Sequence, residues 1–179
     1  HPRLLMDDEA FGSLMEQVRA GNNQVLNRLH ATNLRNADIY GLAAAPLAYQ
    51  LDAAEKRILH ISNAALLRIF SCAYAYRATG DRKYLDHAEN DINTVCNFPD
   101  WNGHRHYLDV GEMAAAVALG YDWLYADLKP ETRANAERAL REYAFDTAEP
   151  YGSSFYNKVS NWNQVCNAGL VCGALAVYE

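Results

Sequence analysis

The sequence predicts an all-α fold of antiparallel helical hairpins, arranged as an incomplete (α/α) toroid or as a solenoid. Three observations predict it. Apolar residues recur at three- and four-residue spacing through most of the chain, and no strand-like alternation of any length appears. Strongly apolar helices also alternate with amphipathic ones, in hairpins that recur about every 45 residues. An apolar helix must be covered on both sides, so inner helices ringed by amphipathic outer helices satisfy the pattern.

The first elements carry the weakest signals. A helix is predicted over residues 7–30, because acidic residues suit its first turn and apolar residues follow at helical spacing, with a loosening near Gly21. The next apolar stretch, residues 39–51, contains Pro46. It predicts either a broken helix or a segment that wraps around the bundle.

Residues 61–179 contain the clearest helical hairpins. Ser62 is predicted to cap a helix that ends at Gly80, which suits a left-handed C-terminal cap, and Asp81 can cap the next helix at once. A turn this short makes the two helices antiparallel.

A second hairpin repeats this order. Residues 108–125 are nearly all apolar, and Pro130 suits the first position of a charged helix that follows. Residues 165–178 then read as another inner helix, with no outer partner after it. The sequence thus predicts that residues 1–179 form the N-terminal part of a larger toroid domain.

Composition excludes several classes of partner. The 179 residues include 16 Lys and Arg against 22 Asp and Glu, a net charge of −6, which argues against nucleic acid. The longest uncharged apolar run, residues 165–178, is too short to span a bilayer. The cysteines lack the spacing of a zinc or redox site and are predicted to be small buried hydrophobes: Cys72, Cys96, Cys166 and Cys172.

Asn161, Trp162 and Asn163 open the last helix and are the first candidate site. One interpretation is capping, by Ser160 with Asn163 or by Asn161 with Gln164. The other is that amide side chains at a helix N-terminus hold a carboxylate. Both interpretations stay open at this point.

The second candidate site lies around residues 101–112, where His106, Asp109 and Glu112 can share one helix face. No third strong ligand has metal-site spacing, so no metal is predicted, and no cofactor either. We expect the polar rim of a groove, whose histidines serve proton transfer or bind sugar hydroxyls. The alternatives are a solvated loop and, for the aromatic rings, core packing. The predicted substrate-binding residues are Trp101, His104, His106, Tyr107, Glu112 and Trp162.

Five stretches stand in a characteristic order and spacing that spans nearly the whole chain. They are residues 1–4 (His-Pro-Arg-Leu), 73–81 (AYAYRATGD), 107–113 (YLDVGEM), 120–125 (GYDWLY) and 160–169 (SNWNQVCNAG). In these stretches the chain resembles the N-terminal α/α-toroid region of the heparinase II/III-like polysaccharide lyases.

The resemblance implies β-elimination of uronate-containing glycans. In such enzymes an Asn, His or Glu neutralises the uronate carboxylate and acidifies the C5 proton, a Tyr or His removes that proton, and an acid assists departure of O4. By motif position, Asn161 and Asn163 are the candidates for holding the carboxylate. The implied partner is an acidic polysaccharide or oligosaccharide, and the implied location is periplasmic or secreted.

The resemblance also implies further helical hairpins and a β-sandwich domain beyond residue 179. The catalytic Tyr and His are expected there, so the chain alone is expected to show little or no lyase activity.

Two other functions fit the sequence. An α/α-toroid glycoside hydrolase would need two carboxylates across a groove, and Asp109, Glu112 and Asp122 are available. A non-catalytic helical scaffold that binds a glycan or a protein would instead expose aromatic residues on a concave face, without an acid–base pair.

Overall fold

The computed structural model describes residues 1–178, and all regular structure within them is helical. The all-α prediction is therefore confirmed. The helices, in chain order, are α1 (Asp8–Ala20), α2 (Gln24–Asn36), α3 (Leu59–Thr79), α4 (Arg82–Cys96), α5 (Tyr107–Leu124), α6 (Pro130–Ala139), α7 (Asp146–Tyr151) and α8 (Asn161–Val177). Helix α2 continues into a π-helical turn over Ala37–Leu42, and a second π-helical turn, Leu140–Phe145, joins α6 to α7.

Helices α3 and α5 lie side by side and run in the same direction. At their starts, the Ile58 backbone N–H donates to the Asp109 carboxylate at 2.8 Å. At their ends, the Arg77 guanidinium lies 4.6 Å from the centre of the Trp123 ring. Contacts at both ends between matching positions require the two helices to be parallel.

Helix α8 packs along the other side of α5, also in parallel. Trp162 at its start contacts His106 at the start of α5, and Arg3, which binds Asp122 near the end of α5, also reaches the Leu175 carbonyl near the end of α8. A methyl group on Gly111 would lie 2.8 Å from the Cys166 Cα, and one on Gly169 would overlap the Gly111 carbonyl. The two glycines therefore let the backbones of α5 and α8 touch. Because the three helices are parallel, α3, α5 and α8 all begin at the same end of the molecule.

Helices α4 and α6 form an outer layer over α3 and α5. Gly80 adopts a left-handed φ of 72° at the end of α3, and the Asp81 side chain caps α4, as predicted. Pro130 occupies the first turn of α6, also as predicted. The Glu89 carboxylate of α4 accepts hydrogen bonds from the Lys129 backbone and the Thr132 hydroxyl, which joins the two outer helices.

A buried ion pair links α3 to α4. Arg68 donates to both carboxylate oxygens of Asp91, at 2.8 and 3.1 Å, and to the Ala45 carbonyl at 2.6 Å. Arg68 also lies 3.1 Å from the His87 ring nitrogen. The pair therefore fixes an inner helix, an outer helix and the irregular segment after α2 to one another.

The first residues of the chain are bound to the C-terminal end of α5. The Asp122 carboxylate accepts the backbone N–H groups of Arg3 and Leu4 at 2.8–3.0 Å, and it lies 2.5 Å from His1 Nδ1. Asp122 is almost fully buried. It thus holds the N-terminal segment in place.

Several predicted boundaries were wrong. The helix predicted over residues 7–30 is two helices, because Gly21 turns left-handed at φ 71° and Asn23 caps a new one. Ser62 is not a cap, since α3 begins at Leu59 and the buried Ser62 hydroxyl donates to the Asp109 carbonyl. A carboxylate from a neighbouring helix replaces the local cap at this point.

The remaining predictions concern residues 39–51, the cysteines and membrane insertion. Residues 39–51 start in a π-helical turn and continue without regular structure.

All four cysteines are free thiols, three of them buried, and burial raises the pKa of Cys96 to about 12. No helix within residues 1–178 has the length and apolar character needed to cross a membrane.

Candidate functional site

The starts of α3, α5 and α8 gather polar and aromatic side chains at one end of the molecule. We call this the helix-start end and define it by Asn63, His106, Glu112, Asn161 and Trp162. Two open depressions flank it, of about 510 Å³ beside Asn63 and about 650 Å³ beside Asn161. Backbone N–H groups at a helix start attract negative charge, and three helices start here.

Asp109 is the buried anchor beneath this end. Its side chain is fully buried, and one oxygen lies 2.6 Å from His106 Nδ1. The other oxygen accepts the Ile58 N–H and the Asn102 amide, each at 2.8 Å. Both carboxylate oxygens are thus engaged with neighbouring groups. Asp109 therefore joins α5 to the start of α3 and orients the His106 ring.

His106 lies between Asp109 and Trp162. Its exposed fraction is 4 %, and the Trp162 ring meets it edge-on with centroids 4.7 Å apart. Within residues 1–178, no protein group hydrogen-bonds His106 Nε2. The imidazole is thus bound at Nδ1 and has no protein hydrogen-bond partner at Nε2, and the Trp162 ring packs against it.

Glu112 is half-buried one turn further along α5. With its nitrogen turned inward, the Asn63 amide donates to the Glu112 carboxylate. Burial raises the pKa of Glu112, and the negative charge of Asp109 adds to the effect. This carboxyl group therefore favours its neutral form more than a surface glutamate does.

The two candidate asparagines have different surroundings. The Asn163 amide donates to the Tyr156 carbonyl at 2.5 Å, which ties the loop before α8 to its first turn. Asn161 is exposed and forms no side-chain hydrogen bond within residues 1–178. Ser160 occupies the cap position without a side-chain cap. Asn161 is therefore the amide left available for a ligand.

Of three other predicted substrate-binding residues, two are buried in the core and one lies on an exposed turn. Trp101 is 1 % exposed, and its indole N–H donates to the Val95 carbonyl at 2.9 Å. Tyr107 is equally buried, its hydroxyl donates to the Ala144 carbonyl, and burial raises its pKa to about 12. Both rings belong to the core. His104 is exposed on the turn before α5.

Of the three carboxylates considered for hydrolysis, only Glu112 reaches a surface. Asp109 and Asp122 are both buried and fully engaged with hydrogen-bond donors. They are also separated by about 20 Å along α5, at the rise of an α-helix. The structure thus does not bring these three carboxylates together across a groove at the helix-start end.

Asn63 of this end and Asn102, which binds the buried Asp109 beneath it, were not singled out from the sequence. Asn63 is an amide residue near the start of an apolar helix, which is the pattern that marked Asn161, so the sequence did contain a signal for it. Asn102 adopts a left-handed φ of 60° and reaches Asp109 across a turn. No local pattern indicates that contact.

No group of three or more His, Cys, Asp or Glu residues within residues 1–178 is placed to hold a metal ion. Comparison with known proteins gives no match to any family model and no significant match to a curated protein. The geometry of the helix-start end is therefore the basis for assigning a function.

Proposed function

We propose that this chain forms part of the substrate groove of an α/α-toroid polysaccharide lyase of the heparinase II/III-like type, acting on uronate-containing glycans. The observation that carries the proposal is the helix-start end. There the exposed Asn161 amide precedes Trp162, whose ring contacts the buried His106 at the start of α5. The groove would be completed by the further hairpins and the β-sandwich domain that the resemblance implies.

The layer order of the helices supports the toroid. Parallel inner helices α3, α5 and α8 alternate along the chain with outer helices α4 and α6, and each inner helix packs on the next. A toroid repeats this unit until the ring closes. The same unit can also repeat as an open solenoid, so the closing of the ring is what we propose.

In the proposed reaction, Asn161 and the first N–H groups of α8 hold the uronate carboxylate. Hydrogen bonds to this group stabilise the negative charge that develops when the C5 proton leaves, and so they lower the barrier. Trp162, half-buried beside Asn161, offers a ring on which a sugar face can stack. Asn163 supports this arrangement by fixing the preceding loop.

The hydrolase alternative has less support, because Asp109 and Asp122 each have structural partners. Hydrolysis by the usual route needs a carboxyl pair across the bond that is cleaved. The scaffold alternative requires no acid–base pair. It predicts that this chain binds a glycan and that the full-length protein forms no product from any uronate polymer, whereas a lyase forms an unsaturated uronate.

Replacing Asn161 with alanine is expected to weaken binding of an acidic oligouronate to this chain by about tenfold or more, since a hydrogen bond to a charged group contributes about 1.5–3 kcal/mol. Isothermal titration calorimetry measures the effect. The matched control is Asn90→Ala, on the exposed side of outer helix α4, which should bind like the parent. Equal affinity of Asn161→Ala and Asn90→Ala for the oligouronate would contradict the proposal.

Glu112→Gln is expected to remove part of the pH dependence of oligouronate binding. Burial raises the pKa of Glu112, so lowering the pH through that pKa neutralises a charge that repels the uronate, and affinity rises. The glutamine variant should bind well throughout this range. Titrations at several pH values measure the slope, with Glu131→Gln on outer helix α6 as the control. An unchanged slope in Glu112→Gln would show that another group causes it.

A further inference from the structure

We propose that His106 is an acid–base residue supplied by this chain itself, and that Asp109 is its positioning residue. This inference rests on the proposed function. It adds to that function a proton acceptor within residues 1–178, in addition to any residue that the resemblance implies further along the protein.

The hydrogen bonds of Asp109 determine which nitrogen of His106 carries the proton. One carboxylate oxygen accepts from Ile58 and Asn102, and a carboxylate is an acceptor only. The other oxygen lies 2.6 Å from His106 Nδ1. Two acceptors would repel each other at that distance, so Nδ1 must be the donor. In the neutral ring Nε2 then bears the lone pair.

The position of His106 suits proton transfer to a bound sugar. It immediately precedes α5, and its ring touches Trp162, the neighbour of Asn161. Only 4 % of His106 is exposed, yet its Nε2 is not a fully enclosed atom. A glycan bound at Asn161 would lie beside Trp162 and therefore beside the imidazole that Trp162 contacts.

The chemical step is as follows. Nε2 takes the C5 proton, and the electron pair of the C5–H bond is delocalised into the carboxylate held by Asn161. In elimination, that pair forms the C4–C5 double bond, the C4–O4 bond breaks with its pair on O4, and O4 gains a proton from water. Without elimination, the imidazolium exchanges its proton with solvent and returns one to C5.

The first experiment measures the tautomer in the isolated chain by nitrogen-edited NMR of the histidine rings. We expect neutral His106 in the Nδ1–H form. In Asp109→Asn, the amide NH₂ group should face Nδ1 and shift the ring to the Nε2–H form, whereas Asp86→Asn on the surface of α4 should change nothing. An Nε2–H tautomer in the parent chain would overturn the proposal, and that result needs no variant to fold.

The second experiment measures exchange of the C5 hydrogen of a bound oligouronate in heavy water. The parent chain and Asp86→Asn should exchange it, and His106→Gln should lose at least about 100-fold of the rate with little change in affinity. Asp109→Asn should shift the pH profile of exchange. Binding without exchange in the parent, or full exchange in His106→Gln, would overturn the role of His106 and leave the proposed function standing. If no oligouronate binds, the proposed function is wrong, and so is the catalytic role of His106. The NMR result on the tautomer then reports only on the hydrogen bond between His106 and Asp109.

Discussion

Gly169→Ala is expected to destabilise the chain by more than about 2 kcal/mol, and it is among the largest single-residue effects that the structure predicts. The added methyl group would overlap the carbonyl oxygen, the carbonyl carbon and the Cα of Gly111. Those atoms belong to the backbone of α5 and cannot rotate away as a side chain could. Helices α5 and α8 would have to separate, which would also disturb the contact between His106 and Trp162.

Gly12→Ala is the matched control for this substitution. Gly12 lies within α1 and is exposed, and a methyl group there meets no atom within 4 Å. Alanine favours a helix by about 1 kcal/mol over glycine, so this variant should be more stable than the parent. Thermal unfolding followed by circular dichroism measures both variants. If Gly169→Ala melted at or above the parent temperature, the close packing of α5 on α8 would be wrong.

Asp91→Ala is expected to cost about 3–5 kcal/mol, because it leaves the Arg68 guanidinium buried without its counter-charge. Arg68 is 4 % exposed, and Asp91 is fully buried. Urea unfolding measures the loss. The double variant Arg68→Met with Asp91→Leu should recover much of the stability, since it removes both charges and fills the space with apolar atoms.

An exposed ion pair provides the comparison for that buried pair. Arg138 and Glu142 lie one turn apart on the outer side, and both side chains are about one-third exposed or more. Glu142→Gln should therefore change the free energy of unfolding by less than about 1 kcal/mol. Similar losses from Asp91→Ala and Glu142→Gln would mean that Arg68 and Asp91 are not a buried pair in solution.

The parts of the fold that local chemistry determines could be predicted from the sequence. Gly80 and Asp81 end one helix and cap the next, and Pro130 opens another, because each acts within a few residues of itself. The start of α3 could not be placed in this way. The N–H group of Ile58, the residue before its first turn, is bound by Asp109, which is 51 positions away in sequence, and hydrophobic periodicity cannot reveal such a contact.

The candidate site was predicted with similar limits. Asn161 and Asn163 share a motif, yet only the fold shows that Asn163 binds the preceding loop and that Asn161 does not. Trp101 and Tyr107 stand beside turn residues, a position typical of a binding surface. Both nevertheless donate to backbone carbonyls inside the core. Trp101 donates to Val95, six residues before it, whereas Tyr107 donates to Ala144, 37 positions away, and that second pairing depends on how distant segments pack.

The most direct test of the central claim is where an acidic oligouronate binds on this chain. Titration followed by amide NMR should shift the side-chain amide of Asn161 and the backbone amides of the first turn of α8, and a carboxyl-reduced oligosaccharide of equal length should shift them far less. Shifts confined to the opposite end of the molecule, around Asp122, or equal shifts with the reduced sugar would contradict the claim that the helix-start end binds a uronate carboxylate.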